Sequence, residues 1–350
     1  MSRFLLVLAM ASTLFGQAVS DAERQRFEEI KARHDAGQRV SAEEQQFAQR
    51  ILQRMNQQQA AARNQDWAKA HPPRSSTGLV ALPALGTGRY QGEEGGLYPG
   101  GKNTPPPEYL AKGLALAKQI VPLNREGRPD AGGRIVLLSI GMSNTTQEFS
   151  AFQKLAAGTP GLNPKVTLVD GAQSGQTAAI TANAASNFWK VVGERLSEGG
   201  VSTAQVEAVW LKQANAQPST PFPEHARKLE ADIVATLRNL HDRFPNLKLC
   251  YLSSRIYGGY AVTPLNPEPY AYEGGFAVKW AIADEIAGKL KDVPWIAWGP
   301  YLWADGAPAW TRDDVGADGT HPSDAGRRKV AEKLMAFFQS DPTTKGWFLK

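Results

Sequence analysis

The chain holds one cysteine in 350 residues. That excludes a disulfide framework, a cysteine-based zinc site and an iron–sulfur cluster. The single thiol, Cys250, lies in the apolar run Leu247-Lys248-Leu249-Cys250-Tyr251-Leu252, which predicts a buried strand residue rather than a nucleophile. Dense runs of one charge are also lacking. The 39 Lys+Arg and 34 Asp+Glu are scattered, so the net charge of +5 forms no nucleic-acid arm and no nucleic-acid partner is expected. Beyond the N-terminus no apolar stretch reaches the roughly 20 residues that span a bilayer. With 42% hydrophobic and 21% charged residues, the chain is neither collagen-like nor wholly disordered.

What is present starts with an export signal. Arg3 precedes an apolar stretch, Phe4 to Phe15, too short to span a bilayer. Small residues follow, and both Gly16-Gln17-Ala18 and Ala18-Val19-Ser20 suit a signal peptidase. Residues 1–20 are therefore expected to be removed, leaving a periplasmic or secreted protein. Only Arg3 is lost among charged residues, so the mature net charge is +5 − 1 = +4.

Residues 21–70 are rich in Gln, Arg, Glu and Ala. Phe27 and Ile30, then Phe47, Ile51, Leu52 and Met55, recur at helical spacing. Ser41 and Glu44 read as a capping box opening a second helix after Gly37. A helical hairpin appended to the main domain is expected. Residues 71–130 form a Pro/Gly-rich connecting segment. Gly96 to Lys102 imitates a P-loop, but Asn103 stands where Ser/Thr is required, no strand precedes it and three prolines follow. Gly86-Thr87-Gly88 lacks the rest of a dinucleotide fingerprint.

Strands and helices alternate from residue 131 to 350. Apolar runs at 134–140, 165–169, 206–211, 247–252 and 293–298 predict buried parallel strands. Helical patterns lie at about 146–157, 184–197, 223–243, 274–290 and 323–339. Such alternation predicts a parallel sheet covered on both faces, with any ligand site beyond the carboxyl ends of the strands.

Four polar motifs fall at that edge. Gly141-Met142-Ser143-Asn144 follows the first strand, and Asp170 to Thr177 follows the second. Lys212-Gln213-Ala214-Asn215 ends the third, and Asp318-Gly319-Thr320-His321-Pro322 comes after the fifth. Together they hold the parts of an acyl-transfer site. Ser143 is the nucleophile at a strand-to-helix turn, His321 the base, and Asp318 the carboxylate that orients it. Asp313 and Asp314 compete for the carboxylate role. The Ser143 amide, the Asn215 side chain and the Gly175 backbone N–H would form an oxyanion hole, with Gly171 an alternative to Gly175. His34, His71, His225 and His241 read as surface residues.

This order of Ser, Gly, Asn and Asp-x-x-His resembles the SGNH (GDSL-type) hydrolase superfamily over roughly residues 134–340. Asp318 to Gly326 is the most family-like stretch. Met142 departs from the Asp of Gly-Asp-Ser, and Gln213-Ala214-Asn215-Ala216 departs from Gly-x-Asn-Asp. The resemblance implies an SGNH-type hydrolase domain at 131–350. Its fold would be a flavodoxin-like three-layer α/β/α sandwich with a five-stranded parallel sheet. It also implies no metal or organic cofactor.

Two loops at the same edge are aromatic. Tyr257, Tyr260, Trp303 and Trp310 are candidate substrate contacts, with core packing the competing reading. The substrate expected is an O-acyl, chiefly O-acetyl, ester on a small molecule or polysaccharide. A general short-chain carboxylesterase and a non-catalytic carbohydrate-binding protein on the same fold are the alternatives.

Overall fold

A computed structural model describes residues 18–350. The expected signal segment lies outside the described residues, apart from its last three. Among the described residues no helix is long and apolar enough to cross a membrane. The chain divides into two compact units, Met1–His71 and Pro72–Lys350.

The described part of the first unit is two helices, α1 (Asp21–Asp35) and α2 (Ala42–Ala70). Both open with a reciprocal capping box: Ser20 with Glu23, and Ser41 with Glu44. Each box satisfies N–H groups that a helix start leaves free. Glu23, near the start of α1, pairs with Arg54 well along α2 at 2.6 Å, while Arg33 near its end pairs with Glu44 near the start of α2. The helices therefore run antiparallel. Val19, Phe27 and Ile51 form a small buried cluster with Phe47, Ala48 and Met55 against it.

The second unit is built on five parallel strands: β1 (Ile135–Gly141), β2 (Val166–Asp170), β3 (Val206–Lys212), β4 (Leu249–Ser253) and β5 (Trp295–Trp298). Their order is β2-β1-β3-β4-β5, the flavodoxin-like arrangement. Helices α3 (Pro107–Ala117), α4 (Ser143–Ala157), α5 (Ala178–Ala182), α6 (Asn187–Glu198), α7 (Glu224–Arg243), α8 (Tyr270–Ile286) and α9 (Asp324–Ser340) accompany it.

Both faces of the sheet are buried because alternate side chains point to opposite sides. Ile135 and Leu137 of β1 join Trp210, Tyr251, Phe149, Phe152, Leu334 and Phe338 in one core. Val136, Leu138 and Ile140 of the same strand join Phe188, Val192, Ile233 and Leu237 in the other. Helices α4 and α9 thus cover one face, and α6 and α7 the opposite one. The result is a three-layer α/β/α sandwich. Cys250, on β4, is fully buried.

Helix α3 falls inside the segment expected to be a Pro/Gly-rich connection. Three consecutive prolines suggested irregular chain, but Pro107 occupies the first turn, where a missing N–H costs nothing and its fixed φ suits a helix.

The strand order reverses direction between β1 and β3. That switch point is where open α/β sheets hold ligands. The turns after β1, β2 and β3 all emerge beside it.

Candidate active site

Ser143 is the first residue of α4, two positions past the end of β1. The turn is tight. A Cβ at Gly141 would lie 2.2 Å from Thr145 Oγ1 and 2.4 Å from the Lys212 carbonyl oxygen, so only glycine fits. The first N–H groups of α4 have no intrahelical acceptors and carry the positive end of the helix dipole.

His321 arrives from the loop before α9. Its Nε2 lies 2.7 Å from Ser143 Oγ, and its Nδ1 lies 2.5 Å from Asp318 Oδ2. Asp318 Oδ1 accepts the backbone N–H groups of Thr320 and His321, each at 3.0 Å. Burial pushes the Asp318 carboxyl up, but the hydrogen bonds from His321 and Thr320 outweigh it and hold the group at about 2. An ionised Asp318 keeps the imidazole hydrogen on Nδ1. That leaves Nε2 as the acceptor for the Ser143 hydroxyl. His321 and Asp318 side chains are 27% and 34% exposed, so both groups can be reached from solvent.

The Asp318–His321 turn depends on Gly319, at φ +67°. A side chain there would sit 1.7 Å from the Tyr260 carbonyl oxygen. Val262 N–H donates to the Asp318 carbonyl at 3.0 Å, and buried Arg255 donates through Nη2 to the Thr320 carbonyl at 3.3 Å. The loop after β4 therefore grips the loop carrying His321.

Beneath Ser143 lies an ion pair. Lys212, the last residue of β3, donates to both oxygens of Glu148 on α4, at 2.7 and 2.5 Å. Both side chains are essentially inaccessible to solvent. Burial pushes the Lys212 ammonium down to about 8 despite the attraction of Glu148. Removing one partner of such a pair strands a charge in the interior. Lys212→Met is expected to destabilise the domain by about 3–5 kcal/mol. Lys212→Met combined with Glu148→Leu should recover most of that loss, as read by urea unfolding. Equal stability of single and double variants would contradict this account.

The other candidates fall as follows. Asp314 is committed to Lys329 at 2.7 Å and to Thr311, and Asp313 is exposed, so neither replaces Asp318 beside His321. Gly171 donates its N–H to the Ser139 carbonyl at 3.1 Å, so that amide is occupied. Gly175 is exposed in the loop after β2, at φ +75°, with open space where a side chain would be. Asn215 follows β3, but its amide is braced. Oδ1 accepts from Ala179 N–H at 3.1 Å, and Nδ2 donates to Asp232 Oδ2 at 2.7 Å. One Nδ2 hydrogen remains to offer. Asp232, on α7, gave no sign in the sequence, because a lone acid on the polar side of a helix is ordinary.

The aromatic candidates require correction. Tyr257, Tyr260, Trp303 and Trp310 are all at most 6% exposed. Tyr257 packs edge-on against Tyr260 and at a tilt against Trp303. Their polar tips are satisfied inside: Tyr257 by the Arg74 carbonyl, Tyr260 by the Trp310 carbonyl, Trp303 by Glu268 and Trp310 by the Leu302 carbonyl. They are the packed base of the loops, and none presents a face to a sugar. His225 is also not a surface residue. It is buried, with Nε2 2.6 Å from Glu273 Oε2.

No protein-family model matches the chain. No curated protein matches it either. Among solved structures, the chain is similar to an Arabidopsis thaliana protein at 16% identity and TM-score 0.34, covering 55% of this chain and 67% of that one. It is similar to a carbohydrate esterase family 3 from Talaromyces cellulolyticus at 13% identity and TM-score 0.34, covering 57% and 94%. It is also similar to the periplasmic domain of a lipopolysaccharide acetyltransferase from Salmonella ser. Paratyphi A. Here identity is 12% and TM-score 0.35, covering 65% and 94%. Likenesses this weak assign no activity.

Proposed function

We propose that the protein is an exported SGNH-type serine esterase that hydrolyses O-acyl, chiefly O-acetyl, esters of carbohydrates. The observation that carries the reading is the 2.7 Å contact of Ser143 Oγ with His321 Nε2, made across 178 residues of sequence. Export rests on the basic, apolar and small-residue segments of residues 1–20.

The reaction follows from the arrangement. Ser143 Oγ attacks the ester carbonyl as its proton passes to His321 Nε2, and the imidazolium is stabilised by ionised Asp318. The carbonyl oxygen becomes an anion facing the Ser143 and Gly175 amides and the remaining Asn215 N–H. Collapse expels the alcohol, which takes the proton from His321. Water then gives its proton to His321 and attacks the acyl-serine, releasing the acid and restoring the Ser143 hydroxyl.

The test is chemical. The protein should hydrolyse p-nitrophenyl acetate, release acetate from acetylated polysaccharides, and be labelled by a fluorophosphonate at Ser143. Absence of both turnover and labelling would overturn the reading and favour a binding role. Asn215→Ala should reduce kcat by roughly 10²–10³ with little change in KM, because its donation strengthens as the oxyanion forms. A raised KM with kcat intact would instead make Asn215 a contact of the bound substrate.

A further inference from the structure

Resting on the esterase reading, we infer that the substrate is an oligomeric, acidic glycan whose chain lies in the groove between α4 and α9. The groove encloses about 790 Å³. Its two walls are the helices that carry and follow the reactive pair. Ser143 begins α4, and α9 begins three residues after His321. Gln147, Ser150 and Lys154 line it from α4. They stand four, seven and eleven residues beyond Ser143, on one stripe of the helix. At 1.5 Å per residue, the stripe from Ser143 to Lys154 is about 16 Å long, more than one sugar ring can cover.

The polar heads on this stripe are unspent. The Gln147 side-chain carbonyl oxygen is shut off from solvent with no hydrogen-bond partner among the described residues, a costly condition that turning the side chain outward to a sugar hydroxyl would relieve. Among the described residues, the side chains of Ser150, Lys154 and Arg328 make no hydrogen bond or ion pair. Arg327 and Asp324 neutralise one another at 3.1 Å. Lys154 and Arg328 then stand against a single acid with no ion pair among the described residues, Glu332, leaving the groove net positive. A neutral glycan would use Gln147 and Ser150 alone. Carboxylates along the chain would also engage Lys154 and Arg328.

The test separates binding from chemistry. Binding of O-acetylated trigalacturonate and O-acetylated xylotriose to Ser143→Ala protein would be measured by titration calorimetry at low salt. The acidic trimer should bind about tenfold or more tightly than the neutral one, and the difference should shrink as salt screens it. Adding Lys154→Glu and Arg328→Glu should weaken the acidic trimer by about tenfold or more while barely changing the neutral one. Thermal melts would establish that this variant is folded, and Lys154→Gln with Arg328→Gln provides a milder form. Equal affinity for the two trimers, no binding, or indifference to charge reversal would overturn the inference. If the acidic trimer binds as described while the wild type neither hydrolyses p-nitrophenyl acetate nor reacts with fluorophosphonate, the esterase reading fails and the groove stands.

Discussion

Ser143→Ala is expected to lower kcat for ester hydrolysis by roughly 10⁴–10⁶, with the protein still folded and still binding substrate. The reason is geometric. Ser143 Oγ is the hydroxyl seated on His321 Nε2, and alanine leaves the base with nothing to deprotonate but water. His321→Ala should do comparable damage by a different route, since the hydroxyl remains but its proton has no acceptor. The double variant should be little worse than either single one, because the two groups act as one unit. Steady-state rates on p-nitrophenyl acetate provide the measurement. Near-wild-type turnover by Ser143→Ala would refute the assignment, and independent, multiplying losses would refute the coupling.

Asp318→Asn is expected to cost roughly 10⁴ in kcat at neutral pH. The asparagine can fit the same space, but its amide no longer draws a hydrogen onto Nδ1 or stabilises the imidazolium. The same substitution should alter acid stability in a defined window. Asp318 is held at about 2 against an ordinary 3.8. A depressed carboxylate stabilises the fold fully above the unfolded value and loses that contribution as pH falls through the folded one. Acid unfolding of Asp318→Asn should therefore be flatter than wild type between those two values. An unchanged profile would show that the His321 imidazole and the Thr320 and His321 amides contribute little to holding the carboxylate ionised.

Much of this was legible because buried parallel strands read as continuous apolar runs. The runs at 134–140 and 206–211 are realised as Ile135–Gly141 and Val206–Lys212, and the polar residues that follow them fall where such a sheet opens to ligands. The spacing of Asp318 and His321 was equally readable, since a carboxylate and an imidazole three residues apart can meet within one turn. Tertiary choices were less so. The exposure of Tyr257, Tyr260, Trp303 and Trp310 depends on what packs over them, and no local pattern encodes it. The burial of His225 does have a local signal. It stands four residues before Leu229 and begins the same stripe that continues through Ile233, Leu237 and Leu240, so the helix buries it with them. The bracing of Asn215 by Asp232 joins a loop to a helix 17 residues on, a contact no spacing rule announces.

The 178 residues between Ser143 and His321 also bear on how the protein comes to be active. Asp318 and His321 can find one another within a single loop, whereas the nucleophile must be delivered by α4 docking beside α9 across a fully assembled sheet. Closing so long a stretch of chain carries an entropic cost that is offset only once the intervening strands have paired. Recovery of turnover during refolding should therefore trail the recovery of helical signal, which makes catalytic activity a reporter of the last long-range contacts to form.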